Sequence, residues 1–84
     1  MRVIKFALKT GLNALPTPGS LKLVHLDWQD SKLMGWFLEI HKDYQDEYEV
    51  YIAVTGEPVP TEYNYVCSSQ LNTGGGYFVV HAFD

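Results

Sequence analysis

Apolar residues recur at every second position in short segments of this 84-residue chain, and Gly, Pro, Asn and Asp punctuate the segments throughout. A period of two is that of a strand with one face on a core. In the clearest case Tyr48, Val50, Ile52 and Val54 fall on one side, and Glu47, Glu49, Tyr51 and Ala53 on the other. Ile4, Phe6 and Leu8 oppose Lys5 and Lys9 in the same way. The pattern predicts an all-β domain.

The alternation places six strands at about residues 2–9, 21–28, 33–40, 47–55, 63–71 and 77–83. Thr10 to Ser20 holds two glycines and two prolines, so it reads as a loop that Leu12 and Leu15 pin to the core. The segments Leu21 to Trp28 and Leu33 to Ile40 are apolar on both faces, as in a central strand or a closed barrel. Gln29 to Lys32 has the length and polarity of a hairpin loop, Asp43 to Asp46 can make the next turn, and Asn72 to Gly76 can make a third. Pro58 and Pro60 stiffen the connection that follows the fourth strand. Trp28 and Trp36 read as core anchors. The expected architecture is a small six-stranded antiparallel sandwich or barrel-like meander, which shields its strand edges.

A chain of this length forms a single domain and buries only about 60–65% of its unfolded surface, so homo-oligomerisation is one expected route to added stability. Cys67 is the only cysteine, which excludes an intrachain disulfide and a cysteine-based zinc site and fits a reducing compartment. No apolar run approaches the ~18–20 residues of a membrane-spanning helix, and Met1 to Phe6 lacks the apolar stretch of a signal peptide. A cytoplasmic protein without a membrane partner is expected.

The net charge of −4 hides an asymmetry. Residues 1–42 hold all six Lys and Arg against three acids, whereas residues 43–84 hold seven acids and no Lys or Arg. Scattered cations make a poor footprint for a phosphate backbone, so direct nucleic-acid binding is not expected. An acidic half suits a basic protein partner. Its densest stretch interleaves Asp43, Asp46, Glu47 and Glu49 with Tyr44 and Tyr48, and Tyr51 follows. Tyrosines set in an acidic field are the ingredients of a protein-binding patch, and a solvated hairpin with core tyrosines uses the same residues.

Other chemistry is thinly supported. Gly74, Gly75 and Gly76 precede Tyr-Phe-Val-Val, a strand, so they read as a hairpin turn rather than as a phosphate-cradling loop opening a helix. His25, His41 and His81 lack a ligand-spaced partner, so no metal is expected. His81 reads as a half-buried residue bonded across a sheet, or, together with Gly74 and Gly75, as part of a ligand pocket. Cys67 has no nearby Lys or Arg to activate it. No nucleophile–base pair, metal set or cofactor loop stands out in the sequence, so neither an enzyme nor a cofactor is expected.

Several stretches together carry a family resemblance. Val3-Ile4-Lys5-Phe6-Ala7-Leu8, then Gln29 followed seven residues later by Trp36, then Val54-Thr55-Gly56-Glu57-Pro58-Val59-Pro60, and Gly75-Gly76 leading into Val79-Val80-His81-Ala82-Phe83-Asp84, run through nearly the whole chain. This pattern resembles a family of short all-β proteins encoded by tailed phages and prophages. Where such proteins usually have Gly-Thr-Gly-His before the first of these prolines, this chain has Val54-Thr55-Gly56-Glu57. The family brings no catalytic residues to transfer.

The resemblance implies a phage accessory protein. Joined to the acidic, tyrosine-rich half, it leads to the expectation of an inhibitor that binds a basic or nucleic-acid-handling protein of the infected bacterial host, as anti-defence proteins do. The alternatives are a small-molecule or nucleotide-sequestering module and a virion component.

Overall fold

The structure, a computed structural model, describes residues 1–16, 20–41 and 47–84. Seven strands run in chain order as β1 (Arg2–Ala7), β2 (Gly11–Pro16), β3 (Ser20–Gln29), β4 (Lys32–His41), β5 (Glu47–Val54), β6 (Tyr65–Asn72) and β7 (Tyr77–Phe83). They form two antiparallel sheets, one of order β1-β4-β3 and one of order β2-β5-β7-β6. The fold is all-β, as the alternation predicts. Among the described residues no helix is long and apolar enough to cross a membrane.

The sheets face each other across a core of Leu8, Leu15, Leu21, Leu23, Leu26, Leu33, Phe37, Val50, Ile52, Val80 and Ala82. Phe37, Val50, Ile52, Val80 and Ala82 are fully buried. The Phe37 ring meets Phe6 and Tyr48 edge-on, with centroids 5.6 and 5.8 Å away. Gly35 leaves room for it: a Cβ there would lie 2.8 Å from Phe37 Cε1 and 2.9 Å from Leu8 Cδ1. Gly35→Ala is therefore expected to cost about 1–3 kcal/mol through overpacking, read as a lower thermal midpoint.

Three sequence expectations need correction. Among the described residues seven strands form rather than six, because Gly11–Pro16 is a strand and not part of a loop. It is the edge strand of its sheet, where a terminal proline is tolerated, and Gly11, at φ +91°, turns the chain into it. Leu15 is buried there as expected, but Leu12 is 43% exposed on the opposite face.

Secondly, β3 is neither central nor part of a closed barrel. A bulge between Leu23 and His25 inserts Val24 and switches the parity of the strand, so Leu21 and Leu23 before it and Leu26 and Trp28 after it all face inward. One buried face thus looks like two half-apolar ones in the sequence. Thirdly, the chain is not a simple meander. Among the described residues only β3–β4 and β6–β7 are hairpins, and β4 and β5 lie in different sheets. The expected turn at Asp43 to Asp46 lies outside the described residues.

Two buried polar side chains brace the sandwich. Asn13 Nδ2 donates to the carbonyls of Lys9, Gly11 and Val50 at 2.8, 3.2 and 3.3 Å, and its Oδ1 accepts from the Lys9 N–H at 2.9 Å. Glu39 faces inward from β4, 1% exposed, and accepts from Arg2 Nε at 2.9 Å across the β1–β4 ladder.

Candidate functional site

The outward positions of the four-stranded sheet gather most of the chain's unusual side chains. Registers place Leu12 of β2 opposite Tyr51 of β5, Tyr51 opposite Phe83 of β7, and Phe83 opposite Tyr65 of β6. The result is a row of large side chains spanning all four strands. Tyr63, from the connection before β6, packs on Tyr51 with ring centroids 5.7 Å apart, and Tyr65 meets Phe83 at 5.7 Å. Tyr65 remains 61% exposed and Leu12 43%.

Beside this row runs a polar seam. Ser68 and Ala53 lie opposite His81 on its two sides. Ser68 Oγ is 2.6 Å from His81 Nδ1 and 2.8 Å from the Tyr65 hydroxyl, while Thr55 Oγ1 is 2.7 Å from His81 Nε2. Ser68 and His81 thus stand at the distance of a nucleophile and its base, a pairing the sequence did not reveal. The third place is filled by a threonine hydroxyl, which carries no charge to stabilise an imidazolium. From Val80 to Phe83, β7 is paired on both sides, so the N–H groups around His81 are engaged in ladders and not free to form an oxyanion hole. Chemically the seam offers hydrogen-bonding groups on an open surface.

Charge on this face is of one sign. Residues 43–84, which supply β5, β6 and β7, contain no Lys or Arg. Glu49 projects outward beside Tyr51 and accepts from the Tyr63 hydroxyl at 3.2 Å. Partial burial and then the Glu49 carboxylate raise the pKa of Tyr63 above its ordinary value. Glu57 accepts from the Val54 N–H at 2.7 Å and so closes the turn that ends β5. Gly56 supplies the φ of +95° that this turn needs.

Of the residues expected at a partner-binding patch, Asp43, Tyr44 and Asp46 lie outside the described residues. Glu47 opens β5, Glu49 is exposed on the outer face, and Tyr48 faces the other way. Tyr48 packs its ring on Phe37 and donates its hydroxyl to Asp84. Burial first, then the Asp84 carboxylate, pushes the Tyr48 pKa far above 10. Burial, and then Asp84, also raises the Cys67 thiol above 9.0.

Both groups ionise more readily in the unfolded chain. Their contribution to stability is fully present below the unfolded pKa values and is lost progressively as pH rises from there through the higher folded values. The thermal midpoint should hold through neutrality and fall from about pH 9 upward, with Cys67→Ala and Tyr48→Phe each flattening part of that descent.

The three residues expected to share a ligand pocket are not brought together. Gly74 and Gly75 occupy the tip of the β6–β7 hairpin, and His81 lies five residues beyond Gly76 on β7, about 17 Å along the strand. The tip is an ordinary turn: Thr73 N–H reaches the Gly76 carbonyl at 2.9 Å, Asn72 Oδ1 accepts from Gly74 N–H at 2.9 Å, and Gly74 has φ +84°. Trp36, expected in the core, instead lies on the outer face of the three-stranded sheet, with the His25 ring 5.2 Å away and Lys5 Nζ 5.8 Å from its centroid.

Compared with known proteins, residues 1–84 match the family described as Domain of unknown function (DUF7352). No curated protein and no solved structure matches the chain.

Proposed function

The chain belongs over its whole length to the DUF7352 family, and we propose that it is a binding module rather than an enzyme, docking a basic protein on the outer face of its four-stranded sheet. The observation that carries this reading is the row Leu12, Tyr51, Phe83 and Tyr65, set on strands of which the last three contain no cationic residue. Tyrosines give large contact area at low side-chain entropy and present a hydroxyl as well as a ring. Arg and Lys of a partner can stack on those rings while Glu49 and the other acids of this half draw them in.

The resemblance to phage and prophage proteins sets the partner in an infected bacterium. A basic surface suited to this face is one that otherwise engages nucleic acid, so binding would act as inhibition. The Ser68–His81 seam contributes hydrogen bonds beside the aromatic row.

The test is capture from a bacterial lysate with wild type, Tyr65→Ala and Glu49→Lys as baits, at low salt and at about 0.5 M, where the screening length shrinks to roughly 4 Å. A protein held stoichiometrically by wild type, released by salt and weakened roughly 10-fold or more by either substitution supports the reading. Capture indifferent to both substitutions, or no captured protein, contradicts it.

A further inference from the structure

A second site lies away from the aromatic face, at one end of the sandwich. A cleft of about 290 Å³ opens there, near the lower limit of ligand-binding clefts. Its floor is apolar, made by Leu8, Leu33 and Val80 from the core, and the Trp28 indole forms a wall. Its rim is polar: Thr10 and Ser31 bring hydroxyls, and Lys32 is the one charged group among the described lining residues. The Trp28 ring rests edge-on against Phe78 with centroids 5.8 Å apart. Its Nε1 is buried with no hydrogen-bond partner among the described residues. The ring itself packs against the core, so it presents a fixed apolar surface to the cleft.

The hairpin that supplies the rim is built against local preference. Asp30 and Ser31 hold φ of +51° and +66°, a two-residue turn in which Asn-Gly is favoured. Glycine at position 31 would relax the backbone but remove a hydroxyl from the cleft mouth.

We infer that this cleft binds a small monoanion with a compact apolar body, such as a short-chain or aryl-alkanoic acid of about ten non-hydrogen atoms. The apolar part lies on Leu8, Leu33, Val80 and the face of Trp28. The carboxylate stays at the rim, held by Lys32 Nζ and the hydroxyls of Thr10 and Ser31.

The experiment uses Trp36→Phe, which removes the outer-face tryptophan and leaves Trp28 as the sole indole reporter. Phenylacetate and hexanoate are titrated against phenylacetamide and hexanamide up to about 10 mM, beyond the roughly millimolar Kd expected of such small ligands. A saturable change in Trp28 emission, with acid roughly tenfold tighter than amide and that preference erased by Lys32→Gln, is the expected result. An unchanged melting midpoint of the ligand-free Lys32→Gln variant would show that the fold is intact. No saturable change, equal affinity for acid and amide, or a preference that survives Lys32→Gln would each overturn the assignment. Partner capture is not part of the readout, so this site and the docking face fail independently.

Discussion

Asn13→Asp is expected to remove a large share of the domain's stability, although the two side chains have nearly the same shape. The amide of Asn13 donates to three carbonyls, those of Lys9, Gly11 and Val50, and accepts one N–H. A carboxylate keeps the accepting role and turns a second oxygen on those three carbonyls at a position only 6% exposed. The expected loss is about 3 kcal/mol or more, against a total stability of roughly 4–13 kcal/mol for a chain of this size. Asn13→Ala, which removes the bonds without adding charge, should lose about 2 kcal/mol. Thermal melts separate the two, since each kcal/mol lowers the midpoint by roughly 4–8 °C in a domain this small. Aspartate no worse than alanine would mean that Asn13 does not hold the β1–β2 corner as described.

The next largest effect is expected at Arg2. Glu39 is 1% exposed and bonds the guanidinium of Arg2, whose side chain is 63% exposed. Glu39 Oε2 is buried and unpaired among the described residues. Arg2→Ala would leave the carboxylate buried without its counter-charge, at a cost of about 2–4 kcal/mol. That is below the full effect of breaking a buried pair, because Arg2 is partly solvated. Replacing both partners, Arg2→Met with Glu39→Leu, should restore stability to within about 1 kcal/mol of wild type or exceed it. Denaturant unfolding of the two single variants and the double variant gives the coupling directly. A loss under about 0.5 kcal/mol for Arg2→Ala would place the pair among ordinary surface ion pairs.

The legible part of the fold was the local part. Alternation in β1 and β5 reads straight off the sequence, because each strand keeps one parity from end to end. In β3 the bulge at Val24 breaks that parity, and a strand with one buried face is misread as having two. β2 is hidden by its glycine and its proline, which mark loops in general and here mark an edge strand. Registers between distant strands decide the rest. That Arg2 meets Glu39, or that Ser68 and Thr55 flank His81, depends on pairings across 37, 13 and 26 residues, which no local pattern encodes.

The docking face shows the same division. Its acidity and wealth of tyrosine are visible as composition. The sequence places the densest acidic and tyrosine-rich stretch at Asp43 to Glu49, whereas the described aromatic row is assembled from Tyr51, Tyr63, Tyr65 and Phe83. Tyr48 falls inside because it shares the parity of Val50 and Ile52, with its hydroxyl tied to Asp84. A tyrosine on the outer face and one packed against the core, three residues apart, are indistinguishable until the strand is oriented.

The central claim, that the four-stranded sheet is the docking face, is tested most directly by site-placed photocrosslinking. A benzophenone side chain is introduced at Tyr65 on that face or at Val24, 50% exposed on the other sheet, and each protein is irradiated in bacterial lysate at low salt. The account predicts one discrete adduct from position 65 that disappears at about 0.5 M salt, and none of that mass from position 24. The same adduct from position 24, or adducts from neither, would contradict it.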